Sequence, residues 1–195
     1  MSLVIIDTGG ANLASIGNAV TRIGHNFKVS TDRSDIRAAS HIILPGVSAA
    51  SPIINHLESL ALINFIKDLE QPLLGICLGM QILFKHTEEG EIDCIGILGD
   101  TIKKFPEQPN ISIPHMGWNE INMTDDPLFS GIDQGSYVYF AHSYYASMSG
   151  YTISSTHHGV SFSSAIRYKN FYGVQFHPEK SGSVGEQILN NFLKT

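Results

Sequence analysis

Leu73-Leu74-Gly75-Ile76-Cys77-Leu78-Gly79-Met80-Gln81 changes character halfway along its length. Leu73 to Ile76 form a short apolar run of the kind that makes a buried strand, and a helix is predicted from about residue 79 to 85. The centre has the form Gly-x-nucleophile-x-Gly. A sharp strand-to-helix turn at Cys77 exposes its side chain, and the flanking glycines leave the backbone room to make that turn. A helix N-terminus favours a thiolate, and its free N–H groups can hold a developing oxyanion. The same residues also fit a buried apolar cysteine in an ordinary strand-helix turn.

Working towards the N-terminus, Leu3-Val4-Ile5-Ile6 reads as a strand closed by Asp7-Thr8-Gly9-Gly10. Asn12 is placed to cap a helix with apolar residues at Leu13, Ile16, Val20 and Ile23, and Gly24 ends it. Strands are predicted at 27–29 and at Ile42-Ile43-Leu44, the latter stopped by Pro45-Gly46. Ser51-Pro52 reads as a cap with proline at the first helical position, and Ile53, Leu57, Leu60 and Ile66 supply the apolar face. Strands that alternate with helices imply parallel pairing and right-handed crossovers.

Towards the C-terminus the texture is strand-rich. Residues 95–105, 119–123, 137–140, 151–155, 162–167 and 171–176 look strand-like, and Val184, Ile188 and Phe192 mark a final helix. The expected architecture is a three-layer α/β fold. It has a mostly parallel central sheet, helices on both faces and an antiparallel extension. A length of 195 residues suits one domain spanning 1–195.

Composition excludes several functions. Lys and Arg number 12 against 18 Asp and Glu, which argues against nucleic acid as a partner. No apolar run approaches the ~18 residues of a membrane span, and no basic region precedes the first apolar stretch as in a signal peptide. Cys77 and Cys94 are too few for a disulfide framework and lack metal-site spacing, which points to a reduced, cytoplasmic setting. Cys94 reads as a small buried hydrophobe. His157-His158 falls on a turn before Gly159, and no metal or cofactor is expected. Charged residues are only 15% of the chain, so part of the surface is expected to lie under another chain.

Cys77 needs a base. His177-Pro178-Glu179 directly follows the apolar run Gly173-Val174-Gln175-Phe176. Residues two apart on an extended chain point to one side, so Glu179 can fix the orientation and tautomer of His177. Proline also favours an extended residue before it. The result is a Cys-His-Glu arrangement, distant in sequence and close in space.

Gly75-Ile76-Cys77-Leu78-Gly79-Met80-Gln81 together with Phe176-His177-Pro178-Glu179 resembles the class I (triad) glutamine amidotransferases. Asp7 to Leu13, Pro114-His115-Met116-Gly117-Trp118-Asn119, His142-Ser143-Tyr144-Tyr145 and Lys180-Ser181 narrow the resemblance. It is to the branch that serves as glutaminase subunits of imidazole glycerol phosphate synthases. The resemblance covers essentially the whole chain. It implies hydrolysis of glutamine to glutamate and ammonia, with Cys77 as nucleophile, His177 as proton carrier and Glu179 orienting His177. It implies an oxyanion hole from the backbone N–H groups of Val47 and Leu78. Substrate would be held by Gln81, Glu89, Ser143 and Tyr144. For Glu88-Glu89-Gly90 a solvated helix end is the competing reading.

Two departures from the branch stand out. Ser48 occupies the last position of Pro45-Gly46-Val47-Ser48, where glycine is usual, and a positive φ there costs serine roughly 1 kcal/mol or more. Gly46 leaves the Gly46–Val47 peptide free to rotate. Ala11 is a milder departure from glycine.

Hydrolysing glutamine without an acceptor wastes it, and the strands and helices already assigned use up the 195 residues. The acceptor reaction is therefore expected on another polypeptide. The resemblance implies a cyclase subunit with a (βα)8 barrel as the other half of a heterodimer. Trp118, Asn119, Lys180 and Tyr137 would lie at the interface. For Trp118 core packing is the alternative, and for Lys180 an exposed charge; tryptophan's enrichment at binding hot spots favours the interface. His115 fits either a structural or an interfacial role. Two other functions stay open: a glutaminase serving a synthase of the anthranilate, GMP or carbamoyl phosphate type, and a non-catalytic regulatory module of the same fold.

Overall fold

The computed structural model describes residues 2–10, 12–109 and 111–195, so Ala11 of the opening loop lies outside the described residues. In chain order the elements begin β1 (Leu3–Ile6), α1 (Leu13–Arg22), β2 (Phe27–Ser30), α2 (Arg33–Ala38) and β3 (His41–Gly46). Next come α3 (Ala50–Ser59), α4 (Leu62–Lys67), β4 (Leu73–Cys77), α5 (Leu78–Gln81), β5 (Phe84–Thr87), β6 (Ile92–Asp93) and β7 (Leu98–Lys104). The remainder is β8 (His115–Glu120), β9 (Asn122–Met123), β10 (Tyr137–His142), β11 (Tyr144–Ala146), β12 (Thr152–His158), β13 (Val160–Tyr168), β14 (Phe171–Val174) and α6 (Gly182–Phe192).

An eight-stranded sheet in the order β2-β1-β3-β4-β14-β13-β12-β9 forms the middle layer. Its first five strands are parallel, and β13, β12 and β9 extend it antiparallel. The alternation of side chains along each strand sorts the core into two layers. Val4, Ile6, Ile42, Leu44 and Leu73 pack with Ile36 of α2, Ile53 and Leu57 of α3 and Ile66 of α4. Leu3, Ile5, Ile43, Leu74 and Ile76 pack on the other side with Ile16 and Val20 of α1 and Ile188 and Phe192 of α6. Strands covered on both faces have no polar side to show, which is why these runs are unbroken. The expected α/β architecture is therefore present.

Several local expectations are corrected. The helix predicted over 79–85 is only α5, four residues long. Ile82, Leu83 and Phe84 are all buried, more consecutive apolar positions than one helix face holds, and Phe84 enters β5 instead. β3 does not stop at Pro45-Gly46 but runs through both. β1 pairs with it only as far as Ile43, so Pro45 has a strand neighbour on one side only and its missing N–H leaves no gap in a ladder. Ser51 is not the cap of α3. The helix starts at Ala50, and Pro52 sits at its third position, where the N–H would have no intrahelical acceptor. The apolar face from Ile53 to Ile66 is split into α3 and α4 by Ala61 at φ +52°, and Leu60 is exposed. Two small sheets, β10-β8 and β11-β7-β5-β6, stand beside the main one. Among the described residues no helix is long and apolar enough to cross a membrane.

Candidate active site

Cys77 ends β4 with φ +54° and ψ −110°, a backbone conformation that only glycine adopts freely. Three glycines enforce it. A Cβ on Gly75 would lie 2.6 Å from the Gly79 carbonyl oxygen, and one on Gly46 would lie 2.5 Å from the Gly79 nitrogen. A Cβ on Gly79 would collide with the Leu44 carbonyl. β3, β4 and α5 thus meet backbone to backbone, and the turn at Cys77 has no slack. Strain of about 1–3 kcal/mol is the usual cost of such a residue. The return is that Cys77, though buried against the core, also lines a pocket of about 350 Å³. Val47, Ser48, Leu78, Gln81, Glu89, Ser143, Tyr144, His177 and Lys180 line the same pocket.

His177 and Glu179 follow β14, the strand beside β4. His177 N–H donates to the Tyr139 carbonyl at 2.8 Å, fixing the backbone, and its Nδ1 lies 2.9 Å from Glu179 Oε1. Nδ1–H therefore donates to the carboxylate, and Nε2 is the ring atom free to serve the pocket. The Glu179 carboxylate is itself buried, and its Oε2 has no hydrogen-bond partner among the described residues. Its charge is balanced chiefly by His177. Burial alone would lower the His177 pKa, but the Cys77 sulfur and the Glu179 carboxylate outweigh it and push it up to about 10. The ring is thus an imidazolium at neutral pH. Cys94 is the opposite case: burial, then the charges of Asp93 and Glu89, push its thiol up to about 12. That keeps it protonated and inert.

Leu78 is the first residue of α5, so its N–H has no intrahelical acceptor. Val47 and Ser48 leave β3 on the opposite wall. Ser48 sits at φ +76°, so the left-handed conformation that glycine would take freely is adopted by serine. Gly46 serves close approach and not φ, since its backbone is not left-handed and a Cβ there would strike α5.

Glu89 is not at a solvated helix end. It lies in the turn after β5, and its Oε2 accepts the Ala50 N–H at 2.9 Å, so it caps α3 from 39 residues away. Gln81 is buried, and its Nε2 donates to the Tyr144 carbonyl and to Gln175 Oε1, both at 2.8 Å. Both amide hydrogens are spent within the protein, which leaves the carbonyl of Gln81 for the pocket. The Ser143 carbonyl accepts the Phe105 N–H at 3.1 Å and ties the loop to β7.

β8 and β10 form a hairpin-like pair with two unlike faces. Inward, His115, Val138, Phe140 and His142 are buried. Outward, Met116, Trp118 and Tyr137 are exposed. Trp118 is 55% exposed, which rules out core packing for it. It meets Tyr139 edge-on at 6.2 Å, and Lys180 lies over the Tyr139 ring at 5.7 Å. Asn119 is half-buried and donates to the His157 carbonyl at 3.0 Å and to His115 Nε2 at 3.2 Å. His115 is settled as structural: Nδ1 bonds His142 Nε2 at 3.0 Å, and the His158 ring stacks on it at 4.0 Å. Neither that pairing nor the contact of Gln175 with Cys77 was legible in sequence. Gln175 interrupts the apolar run before His177, and a polar residue in a buried strand was the available signal. Among the described residues no group of three or more potential ligands could hold a metal ion.

A strained cysteine at a strand-helix elbow shares a pocket with a histidine held by a buried carboxylate, an arrangement suited to cysteine-dependent acyl transfer on an α/β sheet. The family model for class-I glutamine amidotransferases matches residues 4–195, and this chain belongs to that family. Among curated relatives, the imidazole glycerol phosphate synthase subunit HisH of Idiomarina loihiensis is 44% identical over 195 residues, covering 100% of this chain and 98% of that one. The protein of the same name from Bacteroides thetaiotaomicron is 41% identical over 194 residues, covering 99% of each. A solved glutamine amidotransferase aligns with a TM-score of 0.76 at 14% identity over 98% of this chain and 97% of that one, a likeness of fold alone.

Proposed function

We propose that this chain is the glutaminase subunit of an imidazole glycerol phosphate synthase, acting as one domain over residues 1–195. The observation that carries the reading is the single pocket holding Cys77 at its strained elbow and His177, 2.9 Å from the buried Glu179. In this reading the Cys77 thiolate attacks the side-chain amide carbon of glutamine. Negative charge develops on the carbonyl oxygen, and the N–H groups of Leu78 and Val47 receive it; donors of this kind are each worth about 2.7–4 kcal/mol where measured. His177 gives its proton to the departing ammonia and leaves a thioester on Cys77. It then takes a proton from the water that cleaves the thioester, and glutamate leaves. Glu179 holds the tautomer throughout. Glu89 offers negative charge to the substrate ammonium, and the Gln81 carbonyl with the Ser143-Tyr144 backbone fixes the other end.

Ammonia passes to a cyclase subunit with a (βα)8 barrel. The exposed Met116-Trp118-Tyr137 face and Lys180 support this placement, because Met116 and Lys180 also line the pocket, so a partner seated there would cover its mouth. Two free cysteines fit a reduced, cytoplasmic setting. The test is glutamate release by the chain alone, with a cyclase subunit, and with that subunit plus a ligand of its site. Strong stimulation that disappears in Cys77→Ala is expected. Rapid hydrolysis that ignores the cyclase would favour a different synthase, and hydrolysis that survives Cys77→Ala would overturn the mechanism.

A further inference from the structure

Gln175 is fully buried, and its side chain ends on the candidate nucleophile. Its Nε2 lies 3.7 Å from Cys77 Sγ, and its Oε1 lies 2.8 Å from Gln81 Nε2. The two ends of such an amide are told apart by their partners. Gln81 Nε2 also lies 2.8 Å from the Tyr144 carbonyl, which can only accept. The Gln81 atom facing Gln175 is therefore a donor, the Gln175 atom facing it is the acceptor, and the corner of Gln175 against the sulfur carries N–H. The anchoring continues beyond Tyr144. Its carbonyl also accepts from His142 Nδ1 at 2.8 Å, His142 Nε2 then accepts from His115 Nδ1 at 3.0 Å, and His115 Nε2 accepts from Asn119 at 3.2 Å. Each member has one consistent role, so Gln175 cannot flip without leaving two donors or two acceptors face to face.

We propose that Gln175 is a positioning residue for the nucleophile: its Nε2–H fixes the Cys77 sulfur and stabilises its negative charge. The proposal rests on Cys77 being the nucleophile. The sulfur lies between two polar contacts, the Ala141 carbonyl at 3.8 Å and the Gln175 Nε2–H at 3.7 Å. His177 surrenders its proton to the leaving ammonia. An amide does not titrate, so the Gln175 donor faces the sulfur whatever the protonation of His177.

Gln175→Glu keeps the size and turns the contact into a repulsion; Gln175→Met keeps the bulk and deletes the donor. The expected result is slower alkylation of Cys77 by iodoacetamide at neutral pH, about tenfold for Gln175→Glu, on the scale of a hydrogen bond to a charged group, and about threefold for Gln175→Met, on the scale of an ordinary one. In the complex with a cyclase subunit, kcat should fall in parallel while KM stays within about twofold, as for an interaction acting on the nucleophile and not on substrate binding. Folded variants with unchanged alkylation and kcat would overturn the proposal. Should neither variant fold, the assigned side-chain amide resonances of Gln175 in the wild-type chain decide. They should move when Cys77 is alkylated, and their failure to move overturns the proposal equally. Cys77→Ala runs beside each assay. Turnover surviving there would remove the nucleophile itself, whereas a dead Cys77→Ala beside undiminished Gln175 variants removes only the role of Gln175.

Discussion

His177 on one side of the pocket and the His115–His142 pair on the other are equally buried, yet they hold opposite charge states. Burial lowers the pKa at all three. At His115 burial, joined by the neighbouring His158, takes it down to about 4. At His142 burial dominates over the favourable Tyr144 carbonyl and takes it to about 3. At His177 the neighbouring Cys77 sulfur and Glu179 carboxylate reverse the outcome. The partners decide whether a buried imidazole is a reagent or a structural link. A neutral ring can pass one hydrogen bond in and one out, as His142 does between His115 and Tyr144. A charged ring can only donate, which suits proton delivery to a leaving group.

The strongest way to break this contrast is Glu179→Gln, which keeps the shape and removes the anion. The expected outcome is a kcat lower by about 10⁴-fold, the scale seen when the acid of such a triad becomes an amide. Steady-state glutamate release measures it, and a loss below tenfold would mean that His177 does not depend on its carboxylate.

Next in size is the pH dependence of stability. His115 and His142 have folded pKa values below the unfolded 6.5, so the unfolded chain takes up protons first as pH falls. Stability should drop between pH 6.5 and about 4, by on the order of 3 kcal/mol for His115 alone. His177 has the reverse sign. Its contribution is complete below pH 6.5 and is lost as pH rises through about 10. Urea melts across pH should show both limbs. His142→Phe should flatten the acid limb while costing about 1–3 kcal/mol at pH 7 through the unpaired Nδ1–H of His115. Cys77→Ala should flatten the alkaline limb, because His177 loses the sulfur that helps to hold its pKa up. Acid and alkaline limbs that ignore both substitutions would dissolve the contrast.

Two smaller changes sharpen it. Trp118 shares β8 with His115 but faces outward. Trp118→Ala should leave the stability of the isolated chain within about 0.5 kcal/mol. It should weaken association with a cyclase subunit by about 2 kcal/mol, or about thirtyfold in Kd, measured by titration calorimetry. Ser48→Gly should raise stability by only about 1 kcal/mol or less, since relief of the left-handed φ is opposed by the added freedom of the unfolded chain. A marked destabilisation would show that the serine side chain holds this wall of the pocket together.

Sequence alone determined the parallel core and the elbow at Cys77 with the His177–Glu179 contact. Strand runs such as Leu3-Val4-Ile5-Ile6, the spacing of α1 and α6, and the glycines around Cys77 are short-range properties. A few neighbouring residues suffice to encode a buried strand, a helix face or a sharp turn. His177 and Glu179 were legible because two residues on one extended segment carry their own relation. Tertiary structure decided everything that joins distant segments. Glu89 caps α3 across 39 residues, and Gln175 reaches Cys77 across 98. His115 hydrogen-bonds His142, 27 residues on, and α5 ends early because Phe84 finds a partner strand in β7. Hydrogen bonds and pKa values depend on which groups meet in space, and no local pattern in a single sequence records that meeting.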